Sequence, residues 1–533
     1  MNFLNNINTH NPSNIQKTLS HWHSFRLKII IESVIVGFFA GLVATFYRFL
    51  LEGAINFSRY IYSLQLKNTW MIPLWVLLVV IMGYIVGLVV KKDPMTSGSG
   101  IPQVEGILVG KLNMNWLSVI VGKFIGGVLC IGAGLSLGRE GPSIQIGAAV
   151  GQGVSRILKR IKIEEKLLVT SGASAGLSAA FSAPLAGAIF ALEEVHKNFS
   201  PIVMTSALAA SITSSFIAKH FFGLSPIFNF QHLGQLPLEN YAYIAILGIL
   251  VGVLGVLFNK ILLGTQTLYS KQKWLPTEAR PIIPFLLAAV LGLFLPEVLG
   301  GGSDLVTSIM STSFSIKLLI IILIIKFCFT MICFGSSAPG GIFLPLLVLG
   351  ALIGNIYCDG LSYFFGFDHM YKDNFIILAM AGYFSAIVKS PITGSILITE
   401  MTGSFTHLLP IAMISLISYI VADTMNSKPV YEALLERILN KNNSNFEGED
   451  KTKIVIEIPV CVGSTLEGKK IKDVTWPAKC LIVGIRRGEK EFIPKGNTAI
   501  YLGDYLVILT SEDTASASMD HLLKLSGSDD IKL

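Results

Sequence analysis

A single carboxylate lies inside an apolar stretch where an ionisable group is expensive. Glu140 belongs to Gly138-Arg139-Glu140-Gly141-Pro142, and the flanking residues, Leu117 to Leu137 and Ser143 to Val154, carry one charge, that of Lys123. Ionisable residues in such stretches most often serve function. The glycines permit an irregular backbone and the proline suits the first turn of a helix. We therefore predict that Glu140 lies at a helix N-terminus, where it competes with an anion for free N–H groups and the helix dipole.

A second pair of acids, Glu193 and Glu194, ends an apolar run that begins at Gly176. Small residues in this run permit close contact between helices in a membrane. The two acids could take part in chemistry, or they could merely mark a helix end at the cytoplasmic interface. The sequence leaves both interpretations open.

Three further residues could serve an ion pathway. Ser99, in the turn Gly98-Ser99-Gly100, offers a hydroxyl beside accessible backbone, although a plain surface turn has the same composition. Tyr431 could direct its hydroxyl into the pathway or anchor the chain at a membrane boundary. Lys123 would raise the local positive potential and so help anions to enter.

The elements that must position these residues are membrane helices. Of the 533 residues, 52% are hydrophobic and 14% are charged, whereas soluble domains carry about 25% charged residues. Several apolar segments are shorter than the roughly 20 residues that cross a bilayer. We predict an all-α polytopic membrane protein with many short, broken helices. The predicted spans include Ile29–Leu51, Trp70–Val90, Tyr241–Leu263, Pro281–Leu295, Leu318–Phe334 and Leu408–Ala422.

The polar N-terminal segment, residues 1–25, shows no cleavable signal peptide, and Arg26 and Lys28 precede the first span. This pattern predicts a cytosolic N-terminus. The net charge of +7 indicates basic cytosolic loops and no nucleic-acid partner. The six cysteines include no close metal-ligand pair, so we predict no metal site.

The second half of the apolar region repeats the first. Pro184 and Pro391 are each followed three positions later by glycine and nine positions later by glutamate, Glu193 and Glu400. Two halves with interrupted helices at matched positions predict a binding site at their interface. The repeats extend over about 26–220 and 240–440.

The sequence Gly341-Ile342-Phe343-Leu344-Pro345 matches Gly138 to Pro142, and Gly300-Gly301-Gly302 takes the place of the turn around Ser99. The second copy has Ile342-Phe343 where the first has Arg139-Glu140. A helix N-terminus is therefore predicted twice and a carboxylate once. We interpret this as a backbone cage for an anion with a single titratable gate.

A polar linker, residues 441–452, separates the membrane domain (26–440) from a segment of different composition. Ile454–Ile458 and Tyr505–Leu509 are typical of short strands, and glycine-containing turns lie between them. We predict a small cytosolic α+β domain over 453–525, followed by a tail, 526–533.

Gly98-Ser99-Gly100-Ile101-Pro102, Gly138 to Pro142 and Gly341 to Pro345, in this order and followed by Tyr431, resemble the signature motifs of the CLC chloride channel and transporter family. The match extends from about residue 26 to residue 439. The resemblance implies the CLC fold of two inverted repeats. It also implies a homodimer with one pore per subunit, multi-pass in the plasma membrane, and we expect a bacterial source.

The resemblance also implies roles for individual residues. Chloride would be coordinated by Ser99 Oγ, the Tyr431 hydroxyl and the backbone N–H groups of Ile342 and Phe343. Glu140 would be the external gate, which leaves the anion position when protonated.

Glu194 would be the internal proton-transfer glutamate of the family's exchangers, with Glu193 beside it in the proton pathway. CLC channels usually lack an acid at the position of Glu194, so the resemblance favours chloride/proton exchange. A passive, gated chloride channel is the alternative.

The segment from about 453 to 512 resembles the RCK C-terminal (TrkA-C type) domain of bacterial potassium-uptake systems. Such domains dimerise, and some bind cyclic di-AMP, which is our candidate regulatory ligand. We hypothesise that Arg486, Arg487 and Lys495 meet its phosphates and that Ile485 or Pro494 packs on a base. Solvated basic residues on a dimer-stabilising domain are the alternative.

Two other classes of protein are disfavoured. An intramembrane hydrolase would need a base to activate Ser99, and none of the nine histidines is obviously placed for that role. A potassium transporter would need a filter, and the chain has no Gly-Tyr-Gly motif. We therefore expect a transporter of chloride and protons that is not an enzyme and needs no cofactor.

Overall fold

The structure is a computed structural model, and it describes residues 14–197, 199–228, 230, 234–272, 274–312, 314–441, 453–461, 463–477, 480–488 and 490–527. The chain forms two compact units, Met1–Asn440 and Lys441–Leu533.

The first unit contains two series of α-helices that correspond one to one. The first series is α1 Asn14–Gln65, α2 Met71–Lys92, α3 Ile101–Leu108, α4 Trp116–Gly132, α5 Glu140–Ile157, α6 Lys162–Phe181, α7 Pro184–Phe190 and α8 Pro201–Phe222. The second is α9 Tyr241–Lys271, α10 Ile282–Phe294, α11 Ser303–Ser311, α12 Ile316–Gly335, α13 Phe343–Phe365, α14 Lys372–Val388, α15 Pro391–Thr402 and α16 Leu408–Thr424. Helix α17, Val430–Lys441, follows the second series.

Within the described residues, seven helices are long and apolar enough to cross a membrane, and α4 and α10 are shorter apolar helices. The prediction of a polytopic membrane protein with short, broken helices is confirmed. Helix α1 is longer than expected: it begins at Asn14, inside the segment predicted to precede the membrane domain. Neither glycine nor proline occurs between Asn14 and Gly37, so nothing in that segment stops the helix.

Equivalent residues of the two series pair in antiparallel fashion. The N–H of Gly138 donates to the carbonyl of Gly341 at 2.6 Å, and the N–H of Gly341 donates back to Gly138 at 2.8 Å. The turns agree in conformation too, because Gly100 and Gly302, which immediately precede α3 and α11, both have φ of 93°. Reciprocal antiparallel pairing is the relation that inverted repeats produce, so the predicted internal repeat is confirmed.

Helices α5 and α13 begin at equivalent positions, Glu140 and Phe343, as the Gly-Pro pattern predicts. Each lies against the next helix of its own series. At the α5–α6 contact, a Cβ atom at Gly147 would lie 2.1 Å from the carbonyl oxygen of Gly172. Only glycine permits this approach, which fixes α5 within the unit.

The second unit contains an antiparallel sheet with the strand order β1-β4-β2-β3. The strands are β1 Lys453–Pro459, β2 Leu481–Arg487, β3 Lys490–Phe492 and β4 Asp504–Ser511. Helix α18, Glu512–Ser526, packs against β1 and β4. The core includes Ile458, Ile485 and Leu506, so the predicted small α+β domain is confirmed.

Candidate functional site

The beginning of α13 offers hydrogen-bond donors at the centre of the membrane unit. Ile342 and Phe343 are fully buried, and the first N–H groups of a helix have no acceptor within that helix. The preceding residues are tied to the other signature motifs, since the N–H of Gly340 donates to the carbonyl of Gly98 at 3.0 Å. Ser99 therefore lies close to the start of α13.

Two buried hydroxyls accompany these N–H groups. Ser99 accepts a hydrogen bond from the N–H of Ile101 at 3.3 Å, which leaves its own proton free to be donated. Tyr431 is fully buried, and its hydroxyl has no hydrogen-bond partner among the described residues. Buried polar groups are nearly always paired, so an orphan hydroxyl indicates a ligand. Backbone N–H groups and hydroxyls are donors, which suits an anion.

Glu140 is the first residue of α5 and is fully buried. Neither carboxylate oxygen has a well-formed hydrogen bond within the described part of the chain, and the carboxylate faces the N–H groups of Glu140 and Leu344. A Cβ atom at Gly138 would lie 2.2 Å from Glu140 Oε2, so the motif needs glycine there. The carboxylate thus lies where the starts of α5 and α13 attract negative charge.

Arg139 forms its ion pair with Glu52 and not with its neighbour Glu140. Its Nη1 donates to Glu52 Oε1 at 3.2 Å, and the same oxygen accepts from Arg48 Nε at 2.9 Å. These residues line a cavity of about 460 Å³ together with Arg59. The cavity wall carries three guanidinium groups and two carboxylates, those of Glu52 and Asp304, and this excess of positive charge favours the approach of anions.

Glu193 and Glu400 each bind the N-terminus of a helix in the other repeat. Glu193 accepts hydrogen bonds from the N–H groups of Ile392 at 3.2 Å and Thr393 at 2.7 Å, in the first turn of α15. Glu400 accepts from two N–H groups in the first turn of α7, those of Leu185 at 3.1 Å and Ala186 at 2.8 Å. The two acids that the sequence repeat matches are therefore reciprocal helix caps.

Glu194 has a different environment from its neighbour. It is 3% exposed, its Oε2 accepts from Ser390 Oγ at 2.8 Å, and its Oε1 has no partner within the described residues. It lies on a π-helical turn, Ala191–His196, a feature frequent at functional sites. It is near enough to Tyr431 for electrostatic interaction. Of the two acids, Glu194 is therefore the one that has a buried carboxylate oxygen without a hydrogen-bond partner within the described residues.

Lys123 is fully buried, and its ammonium group donates to the carbonyl of Gly98 at 2.7 Å. It therefore holds the turn that carries Ser99. Lys326, 203 positions later, does the same in the second repeat, where it donates to Gly300 at 2.6 Å. We did not single out Lys326 from the sequence, although the offset of 203 between Pro142 and Pro345 would have identified it.

Other residues could not be found from sequence spacing. Ser390 and Glu105 lie near Glu194 but come from distant parts of the chain, whereas Lys197 follows Glu194 by three residues. Glu105 lies within the first motif segment, where nothing distinguishes it from an ordinary helix residue.

The proposed nucleotide site in the C-terminal domain needs correction. Ile485 is fully buried in the sheet core, so the prediction that it packs on a base is wrong. Arg487 is engaged by Asp504 through two contacts of 2.7 and 2.8 Å, and this pairing raises the pKa of Arg487. Arg486 contacts Glu457 at 3.2 Å, while Lys495 is exposed and Pro494 is half-buried. Strand register, which a basic pattern does not reveal, decides these orientations.

Comparison with known proteins agrees with this geometry. The model of the voltage gated chloride channel family matches residues 82–423, and the TrkA-C domain model matches residues 455–522. The chain is 33% identical over 448 residues to the H(+)/Cl(-) exchange transporter ClcA of Citrobacter koseri, which covers 81% of this chain and 93% of that protein. The ClcA of Salmonella newport is 34% identical over 78% of this chain and 90% of its own length.

Solved structures share the fold of the membrane unit. A slow cyanobacterial Cl−/H+ antiporter superposes with a TM-score of 0.75 at 29% identity, over 78% of this chain and 99% of that one. A CLC-type fluoride/proton antiporter superposes with a TM-score of 0.63 at 21% identity, over 76% and 97% of the two chains. The second likeness concerns the fold alone.

Proposed function

The chain belongs to the voltage-gated chloride channel (CLC) family, and from this premise we propose that it is a chloride/proton antiporter. The observation that carries the proposal is the pair of buried acids, Glu140 and Glu194, both of which interact electrostatically with the orphan hydroxyl of Tyr431. A passive, gated pore for chloride needs no acid at the position of Glu194.

Chloride would bind at the beginning of α13. The N–H groups of Ile342 and Phe343 and the hydroxyls of Ser99 and Tyr431 would donate to it. This donor set supports an anion, because none of the four groups is ionised and all can present a hydrogen atom. Lys123 would contribute by holding the turn that carries Ser99.

Glu140 would act as the gate. Its carboxylate and an incoming chloride require the same helix N-termini, and two negative charges there repel each other. Chloride entry would therefore favour protonation of Glu140, and the neutral side chain would leave the position. The Arg48, Arg59 and Arg139 cavity would supply chloride from outside.

Glu194 would exchange the proton with the cytosol. Its free Oε1 can take up a proton, while Ser390 holds Oε2 in place. Glu193 was predicted to share the proton pathway, and this stays a prediction. Its carboxylate is occupied by the N-terminus of α15, which supports a structural role instead.

The assembly and location follow from the family and remain part of this proposal. We expect a homodimer in the plasma membrane of a bacterium, with the C-terminal domain in the cytosol. Cyclic di-AMP is the candidate ligand of that domain, with Arg486, Lys495 and Pro494 as the accessible contacts. Calorimetry on the detergent-solubilised chain tests this: no heat with cyclic di-AMP would exclude it.

Proteoliposome transport tests the main function. With a chloride gradient across liposomes that contain the protein, we expect protons to move against their own gradient, recorded by external pH together with chloride efflux. A reversal potential that follows chloride alone, without pH dependence, would instead identify a passive, gated chloride channel of the same fold.

A further inference from the structure

One lysine, Lys197, lies among three carboxylates, those of Glu105, Glu194 and Glu432. Lys197 Nζ contacts Glu105 Oε1 at 2.5 Å and Glu432 Oε2 at 3.4 Å. It also interacts electrostatically with Glu194, three residues earlier in the chain. Glu105 is buried, with a side chain that is 5% exposed, whereas the side chains of Lys197 and Glu432 are 40% and 45% exposed.

The ion pairs of Lys197 reach the helix that follows Ser99 and the helix that carries Tyr431. Glu105 is on α3, which begins two residues after Ser99. Glu432 is on α17 and follows Tyr431 directly. Lys197 therefore joins three segments: the π-helical turn of Glu194, the helix after Ser99 and the helix of Tyr431. The same two helices touch each other, because a Cβ atom at Gly106 would lie 3.0 Å from Leu435.

The electrostatics make this lysine hard to replace. A buried carboxylate that loses its cation leaves an uncompensated charge in the interior, which is costly. Glu105 and Glu194 already repel each other, and Lys197 offsets that repulsion. The backbone of Lys197 is also unusual, with a φ of 52°, a region that non-glycine residues seldom adopt. The backbone at Lys197 is therefore held in a conformation that is strained for any residue with a side chain.

We propose that Lys197 is a positioning residue that couples proton release to the chloride site, by tying the helix after Ser99 and the helix of Tyr431 to the segment of Glu194. This inference rests on the proposed exchange function. When these ion pairs are intact, the hydroxyls of Ser99 and Tyr431 keep a fixed position relative to Glu194, the acid that carries the proton. When they are broken, chloride can pass without waiting for a proton.

The test compares variants in liposomes of phosphatidylethanolamine and phosphatidylglycerol, with chloride efflux and pH recorded together. Lys197→Gln is expected to lower the number of protons moved per chloride by about threefold to fivefold, the range that a half-exposed ion pair supports. Chloride efflux should be maintained or increased. Lys197→Arg keeps the charge and should restore the wild-type ratio.

Lys428→Gln is the matched control. Lys428 also pairs with an acid of α17, Glu436, at 2.8 Å, and it interacts electrostatically with Glu432 but with neither Glu105 nor Glu194. The control should keep the wild-type ratio. Glu432→Gln, a change at a half-exposed side chain that folding tolerates, should lower the ratio in the same direction but less than Lys197→Gln.

The outcomes separate the two levels of the proposal. If the wild-type chain moves no protons, the exchange function fails and the role of Lys197 fails with it. If the wild type exchanges protons and both Lys197→Gln and Glu432→Gln match it, only the role of Lys197 is overturned. An equal loss in Lys197→Arg and Lys197→Gln would also overturn it, because the charge would then not matter.

Discussion

In the first repeat of the membrane unit, Lys123 holds the carbonyl of Gly98, and in the second, Lys326 holds that of Gly300. The caps are also doubled, since Glu193 and Glu400 each bind a helix of the opposite repeat. The repeats therefore share the contacts that hold the architecture.

The groups proposed to titrate occur only once. Glu140 corresponds to Phe343, 203 positions later, and Glu194 corresponds to Met401, at the 207 offset of Pro184 and Pro391. Tyr431 lies on α17, beyond the second series of helices. The comparison teaches that duplication supplies a scaffold of opposed helix N-termini, while departures from the repeat supply the chemistry. Four tests by substitution would break or sharpen this comparison, and they follow in order of expected effect.

Glu140→Gln should abolish proton movement, because the amide cannot carry a proton at the gate. Proton uptake in proteoliposomes should fall to the level of protein-free liposomes, and chloride efflux should lose its dependence on pH. Glu400→Gln, an acid outside the proposed pathway, is the control. Proton movement against its gradient in Glu140→Gln would contradict the assignment of Glu140 as the gate.

Glu194→Gln should uncouple the two ions and leave chloride efflux in place. The amide keeps a hydrogen bond with Ser390 but cannot exchange a proton with the cytosol. Met401→Leu, at the equivalent position of the second repeat, should affect neither ion. The measurement is the same paired recording of pH and chloride, and retained proton coupling in Glu194→Gln would refute the assignment.

Lys123→Met and Lys326→Met test whether the duplicated contacts contribute unequally to chloride binding. Lys123 holds the turn of Ser99, so its loss should weaken chloride binding by roughly tenfold, as expected for one hydrogen bond to a charged group. Lys326 holds a turn that has no chloride ligand, and its loss should leave chloride affinity unchanged. Titration calorimetry with chloride measures the affinity of both variants. An equal loss of chloride affinity in the two would show that the two turns are equivalent.

Glu193→Gln and Glu400→Gln should have the smallest effects. Each removes the charge from a helix cap but keeps one acceptor oxygen, so each should lower the free energy of unfolding by about 1 kcal/mol. Thermal unfolding in detergent should show similar decreases for the pair. A loss of proton transport confined to Glu193→Gln would instead support its predicted place in the proton pathway.

Much of the fold was predictable because its signals are local. Apolar segments interrupted by glycine and proline identified membrane helices, and Gly138 to Pro142 placed a helix start at Glu140. The antiparallel relation of the repeats was not predictable from spacing, because an offset is the same for parallel and inverted copies. The full length of α1 was missed since polar residues without glycine or proline can continue a helix.

By itself, the sequence determined the helix starts, the internal repeat and the presence of one acid where the second copy has none. Only the tertiary structure decided what each acid contacts. Glu193 and Glu194 are adjacent in sequence, yet consecutive side chains on a helical turn point in different directions, so one caps α15 and the other faces the interior. In the same way, strand register decided that Ile485 lies in the core, because alternate residues of a strand face opposite sides of a sheet.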